Sequence, residues 1–272
     1  MLLAIVVGGC GNTRPVVNAC TIKAGTTARI SVGARTALVH LPRARRGRVP
    51  LILALHGAYG SGAFMERYSG LSRLADREGF GVVYPDAAGT FWRISASDSD
   101  VRFLDALLDQ VLAGGCFDAR RVSVVGVSNG GGMAARFACA GDDRLAGLVT
   151  VAGAYGSLPE CRARRPLSAL EIHGTADRVV PYEGIMEWVR EWAARDGCPR
   201  AARTSRTKPG VLRLQWAPCR DGTAVVHLRL LGGTHAWPGA DPPDPGPAFG
   251  VSAASEAWAF LHGRTVPQHE QG

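Results

Sequence analysis

The sequence predicts an α/β fold: a mostly parallel sheet with helices packed on both faces. Three observations lead there. Several segments read as short, unbroken apolar runs rather than as polar–apolar alternation, which suits strands buried on both faces. Segments with apolar residues at helical spacing alternate with these runs. The residues able to do chemistry fall just after the runs, and on parallel sheets ligands bind outside the carboxyl ends of the strands.

The elements follow in order. "PLILALHG" (Pro50–Gly57) predicts a strand. "FMERYSGLSRLADREG" (Phe64–Gly79) has helical spacing and ends in glycine. "FGVVYPD" (Phe80–Asp86) predicts a strand with a proline stop. "DVRFLDALLDQVLA" (Asp100–Ala113) is amphipathic, with Val101, Leu104, Leu108, Val111 and Leu112 near one face. "RRVSVVGV" (Arg120–Val127) predicts a strand and Asn129–Ala140 a helix. "RLAGLVTVAGA" (Arg144–Ala154) and "LSALEIHG" (Leu167–Gly174) predict strands, and Tyr182–Gly197 a helix. "TAVVHLRLLGG" (Thr223–Gly233) predicts a strand and Val251–Gly263 a closing helix.

The 272 residues are 46% hydrophobic and 20% charged, enough for a large core. No Pro/Ser-rich linker divides the middle, and repeats are absent. The expectation is one catalytic domain over residues 36–263, after an N-terminal segment 11–35 and before a tail 264–272. The formal charge of +8 comes almost wholly from arginine, since Lys23 and Lys208 are the only lysines. The arginines are scattered except in "RARRGR" (Arg43–Arg48) and "RARR" (Arg162–Arg165), and no nucleic-acid motif accompanies them. Nucleic acid is therefore not an expected partner.

In "MLLAIVVGGCGN", the run Leu2–Val7 is far too short to span a bilayer. With Gly8-Gly9-Cys10 it resembles a bacterial lipoprotein signal over residues 1–10, which implies lipidation of Cys10, export and a lipid anchor. An ordinary buried first segment is the alternative. Setting Cys10 aside leaves six cysteines: Cys20, Cys116, Cys139, Cys161, Cys198 and Cys219. An even set suits an oxidising compartment. Without a CxxC pair, neither a metal nor a redox cofactor is expected.

Ser128 is the centre of Gly126-Val127-Ser128-Asn129-Gly130. It directly follows a predicted strand and opens a predicted helix, the context of a G-x-S-x-G nucleophile elbow. Such a turn is tight enough that side chains two residues either side of the serine would clash. Gly131, Gly132, Ala134 and Ala135 would let the helix approach the sheet. Its N-terminus favours an anion forming at the serine. In a chain with 35 glycines the pattern alone is weak, and a glycine-rich turn packed for its own sake is the bland reading. The strand–turn–helix context supplies the weight.

A serine hydroxyl needs a base, and the base needs an orienting acid. In this architecture the chain order is Ser, Asp or Glu, His. "LEIHGTADRVVPY" puts Asp177 in a loop after one strand, and "LLGGTHAWPG" puts His235 in a loop after another. His227 lies in a strand pattern beside Arg229 and reads as a solvated strand residue. His262 ends the last helix, and His269 is in the tail. His173 reads as shaping the Asp177 loop. Asp142 and Asp143 read as surface turn residues, and Asp221 as the runner-up acid. Two backbone N–H groups are needed for the oxyanion. Asn129 follows the nucleophile, and "LALHGAYGSG" offers Ala58 first and Tyr59 second.

Together, "LHGAYGSG", "RVSVVGVSNGGGMAARFAC", "HGTADRVVPY" and "GGTHAWPG" resemble the polyhydroxybutyrate depolymerase–feruloyl esterase group of secreted α/β-hydrolases, within it the mycobacterial-type esterase lipoproteins. The resemblance runs from about Thr36 to the closing helix. It implies the α/β-hydrolase fold, with Ser128 as nucleophile, Asp177 as acid, His235 as base, and Ala58 with Asn129 as oxyanion donors. After "YPDAAGTFW" many relatives continue with an asparagine and a glycine; here Arg93 and "ISASDSD" follow.

The function expected is serine carboxylesterase action on short or medium acyl esters of a bulky alcohol: glycan esters, feruloyl esters or polyester oligomers. The alternatives are an acyltransferase or peptidase on the same fold, or a non-catalytic surface lipoprotein. Tyr59, Trp92 and Trp237 are the candidate substrate contacts. Trp237 could stack on a ring or pack under its loop, which proline stiffens. No apolar insertion suits a lipase flap. Cys139 is expected to pair with Cys161, tying the end of the elbow helix to the loop after the next strand. Cys198 with Cys219 would bracket the otherwise loose basic segment "PRAARTSRTKPGVLRLQWAP". Cys20 with Cys116 follows by elimination.

Overall fold

The computed structural model describes residues 19–94, 99–140, 143–153, 155, 161, 163 and 165–266. The N-terminal signal with Cys10, Asp142 and His269 lie outside the described residues. Ten strands form one sheet: β1 (Thr26–Val32), β2 (Arg35–Leu41), β3 (Val49–Leu55), β4 (Gly81–Pro85), β5 (Phe117–Val127), β6 (Leu145–Val151), β7 (Ala169–Gly174), β8 (Arg203–Lys208), β9 (Val211–Trp216) and β10 (Val225–Leu230). Their order is β1-β2-β4-β3-β5-β6-β7-β10-β9-β8. The six central strands, β4 to β10 in that order, are mutually parallel. An antiparallel hairpin flanks each side.

The parallel strands are apolar throughout because both faces are covered. In β3, Leu51, Leu53 and Leu55 pack into one core, and Ile52 and Ala54 into the other. Helices α3 (Ser99–Ala113), α4 (Asn129–Cys139) and α5 (Ile185–Arg195) cover the first face. Helices α1 (Gly62–Ser69), α2 (Leu71–Glu78) and α6 (Ala253–Leu261) cover the second.

Three sequence expectations need correction here. The helix expected over Phe64–Gly79 is two helices, because Gly70 sits at φ 68°, ψ 11° and turns the chain between α1 and α2. The segment between Cys198 and Cys219 is no loose loop but the hairpin β8–β9. The domain boundary placed at residue 36 falls inside the hairpin β1–β2, which belongs to the sheet.

Disulfides join Cys20 to Cys116, Cys139 to Cys161 and Cys198 to Cys219. The last two close loops with sequence separations of 22 and 21. The chain-entropy argument gives loops of that length roughly 3 kcal/mol each. Cys20–Cys116 spans a separation of 96 and pins the entry of the hairpin β1–β2 beside the start of β5.

Candidate active site

Ser128 sits at φ 54°, ψ −124°, between the end of β5 and the start of α4. Only glycine adopts such angles without cost, and an L-residue held there carries about 1–3 kcal/mol of strain. The neighbours enforce it. A Cβ on Gly126 would lie 2.1 Å from the Gly130 carbonyl oxygen, and one on Gly130 would lie 2.3 Å from that of His56. Ser128 N–H donates to Val151 O at 2.9 Å, which fastens the turn to β6. Three of the four described non-glycine residues with positive φ are Tyr59, Ser128 and Ala152, at the carboxyl ends of β3, β5 and β6. Strain of this kind gathers at functional sites.

Asp177 and His235 arrive at the same end of the sheet, on the loops after β7 and β10. His235 Nδ1 lies 2.8 Å from Asp177 Oδ2. The Asp177 carboxylate is fully buried, while the imidazole keeps 22% exposure. Asp177 Oδ1 accepts from Val179 N–H at 2.8 Å and Val180 N–H at 2.9 Å, so the carboxylate is fixed by its own loop. The two loops meet where a Cβ on Gly174 would fall 2.2 Å from the Gly233 carbonyl oxygen. Asp221, the runner-up acid, is exposed in the turn before β10, at the opposite end of the sheet.

The loop after β3 passes over Ser128: a Cβ on Gly57 would contact Ser128 Cβ at 3.4 Å. Tyr59 N–H donates to Thr90 O. The Tyr59 N–H is thus already engaged, which counts against Tyr59 as the second oxyanion donor. His56 is buried and was not singled out in the sequence. Burial holds its pKa below the ordinary value. The neutral ring donates from Nδ1 to Gly57 O at 2.7 Å and accepts at Nε2 from Ala87 N–H at 3.1 Å. It thereby shapes the loop that carries Ala58. Its only sequence signal was its place before Gly57.

Trp92 and Trp237 are both buried. Trp92 is 1% exposed and donates from Nε1 to His56 O at 2.9 Å. Its neighbour Phe91 is 52% exposed, so the aromatic presented to solvent in "FW" is the other one. Trp237 is 1% exposed, inside the core under α6, which is the packing alternative. Its backbone N–H donates to Asp244 Oδ2 at 2.7 Å, and Tyr68 O–H donates to the same oxygen. Burial, then Asp244, push the Tyr68 hydroxyl well above the ordinary tyrosine range, so it stays a donor. Tyr59, 83% exposed, remains on the rim.

His227 also departs from expectation. It is completely buried, with Nδ1 2.6 Å from Glu171 Oε2 and Nε2 2.8 Å from the Tyr182 hydroxyl. It directly faces Glu171 across the β7–β10 ladder, and no local pattern reveals such a pairing.

Residues 50–171 match the family model for the alpha/beta hydrolase fold. A protein of Nocardia uniformis subsp. tsuyamanensis named as an esterase, NocK, is 31% identical over 83% of this chain and 76% of its own length. The bifunctional acetylxylan esterase/xylanase XynS20E of Neocallimastix patriciarum is 29% identical over 75% of this chain, which spans only 31% of that protein. Among solved structures, the acetyl xylan esterase from Aspergillus awamori superposes with a TM-score of 0.68 at 15% identity, covering 87% of this chain and 99% of that one; it shares the fold. The chain belongs to the α/β-hydrolase family. Its chemistry is that of a serine ester hydrolase.

Proposed function

We propose that the protein is a carboxylesterase in which Ser128, His235 and Asp177 form the catalytic array, acting on short acyl or feruloyl esters of a glycan. The observation that carries this is the 2.8 Å contact of His235 Nδ1 with buried Asp177 Oδ2, at the sheet end where Ser128 is held in its strained turn. Asp177 keeps the proton of His235 on Nδ1, so Nε2 is free to act as base. Ser128 Oγ attacks the ester carbonyl, and its proton passes to Nε2. The N–H groups of Ala58 and Asn129 receive the negative charge of the tetrahedral intermediate. Its collapse breaks the C–O bond, the alcohol leaves with the proton from Nε2, and Ser128 holds the acyl group. Water then repeats the sequence and releases the acid.

The glycan or feruloyl substrate class is supported by relatives named acetylxylan esterase and feruloyl esterase. Exposed rings on the rim, Tyr59 and Phe91, suit contact with a sugar or a phenolic ring. The six paired cysteines suit an exported protein. Attachment through an acylated Cys10 would keep it at the cell envelope. The test is an ester panel from acetyl to palmitoyl, including acetylated xylan and methyl ferulate, run beside Ser128→Ala. Turnover of acetyl or feruloyl esters, absent in a folded Ser128→Ala protein, is the expected result. Full activity in that variant, or faster hydrolysis of palmitoyl than of acetyl esters, would overturn the reading.

A further inference from the structure

Behind Asp177 lies a cluster of buried and half-buried polar side chains that the ester chemistry does not itself require. Glu171 is 1% exposed on β7, with a histidine close to each of its oxygens. Oε1 is 2.9 Å from His173 Nδ1, and Oε2 is 2.6 Å from His227 Nδ1. His173 Nε2 is 3.0 Å from Val180 O and 3.1 Å from Asp177 Oδ2. Tyr182 OH contacts His227 Nε2 at 2.8 Å and accepts from Arg229 Nε at 2.6 Å. The cluster thus reaches from Glu171 through His173 to the Asp177 loop on one side and to His227 and Tyr182 on the other.

At His173 the protons can be assigned from the partners: each of its nitrogens faces only acceptors, a carboxylate on one side and a carbonyl with a second carboxylate on the other. A neutral imidazole would leave one acceptor pair lone pair to lone pair in a dry interior, which is costly.

We propose that Glu171 and His173 form a buried carboxylate–imidazolium pair that positions Asp177, with His173 protonated on both nitrogens, donating to Glu171 and Val180 O, and its charge lying 3.1 Å from the Asp177 oxygen that also meets His235. The proposal rests on Asp177 serving as the acid of the array. Its sense is electrostatic as well as steric: the Asp177 carboxylate is fully buried, and a fixed positive neighbour 3.1 Å away holds its Oδ2 aimed at His235. Other groups facing the pair are Tyr182, 6.0 Å from the His173 ring, Arg229 upon Tyr182, and Tyr155. Burial alone would lower the His173 pKa, but the bond to Glu171, its charge, the Val180 carbonyl and Asp177 together raise it. Burial pushes the Tyr155 hydroxyl well above its ordinary range, so that group stays neutral beside Glu171. Glu171 and His173 are positioning residues; neither touches substrate.

Two measurements test this. In protein labelled with ¹⁵N-histidine, long-range ¹H–¹⁵N spectra at mildly alkaline pH should show one histidine with both nitrogens protonated, lost in His173→Gln. A neutral tautomer for His173 at that pH would overturn the proposal without any reference to activity. In Glu171→Gln, kcat should fall about tenfold with KM within twofold, and the pH–kcat profile should gain a descending limb near neutrality as His173 loses its proton. A folded Glu171→Gln enzyme with the parental kcat and profile would also overturn it. Ser128→Ala separates the two readings: it removes turnover and leaves the His173 spectrum unchanged. Activity surviving in Ser128→Ala would reject the catalytic array, while the spectrum still judges the pair.

Discussion

The side-chain amide of Asn129 grips both backbone groups of Trp92. Trp92 N–H donates to Asn129 Oδ1 at 2.6 Å, and Asn129 Nδ2 donates to Trp92 O at 3.1 Å. The indole of the same tryptophan holds His56 O. Trp92 therefore bridges the two segments proposed to supply the oxyanion N–H groups, one after β3 and one at the start of α4.

Trp92→Phe should consequently damage catalysis more than binding. The ring volume is largely kept, but His56 O loses its buried donor, which costs about 1–3 kcal/mol. The expected outcome is a kcat reduced about tenfold, below the 10²–10³ that follows loss of an oxyanion donor itself, with KM little changed. Steady-state kinetics on p-nitrophenyl acetate and a melting curve check both halves. A parental kcat would mean the bridge is dispensable.

Gly126→Ala should fail to give a native protein. The new methyl group would meet backbone atoms of Gly130 and Gly131, which cannot swing aside like a flexible side chain. A loss above about 4 kcal/mol is expected. Gly184→Ala is the matched control, because nothing lies within 4 Å of its added Cβ. Soluble yield and chemical denaturation of the two variants give the comparison.

Trp237→Ala should lower the melting temperature and abolish hydrolysis of p-nitrophenyl acetate and of glycan esters alike. The side chain is buried in the second core, and truncations of this kind cost about 3–5 kcal/mol. Selective loss of glycan esters with unchanged melting would instead restore a substrate contact for this residue.

The buried pair behind Asp177 predicts how stability depends on pH. His173 is raised above its ordinary 6.5 in the folded state. Its contribution is full below that value and is lost as pH rises through the folded pKa. Burial tends to raise Glu171, but the charge and hydrogen bonds of His173 and His227 leave it below its ordinary 4.5. Its contribution is full above that value and is lost as pH falls through the folded pKa. The melting temperature should therefore decline on the alkaline side of neutrality. In His173→Gln it should be lower but flat across the same range. Scanning calorimetry at several pH values decides.

What the sequence made legible was the parallel centre of the fold. Runs such as "PLILAL" and "RVSVVGV" are apolar on both faces because both faces are buried, and that signal is local. The hairpins were not legible. Strand β8 is exposed along its whole length and reads as a basic loop, since an edge strand carries charge rather than apolar side chains. Within the candidate site, Ser128, Asp177 and His235 could be singled out as candidates because turn chemistry and chain order are written in sequence, and the structure brings Asp177 and His235 into contact. The partners of those residues could not. His227 looks like a polar strand residue until the β7–β10 register sets it against Glu171. Phe91 and Trp92 are adjacent aromatics, and only the tertiary fold decides which one is buried.

The crossing of the Gly174 and Gly233 backbones has a practical meaning for anyone reshaping this enzyme. Leu230 O takes N–H bonds from both Thr175 and Gly233, and Gly233 O takes the one from Ala176. Asp177 and His235 thus travel as one piece, locked before the chain reaches residue 236. The proline-rich loop beyond it is tied back to the same place, because Thr234 Oγ1 donates to Pro245 O and the Trp237 backbone N–H to Asp244 Oδ2. Redesign of the rim should therefore keep Trp237, Asp244 and Pro245 and vary the exposed positions between them, where changes leave His235 aligned.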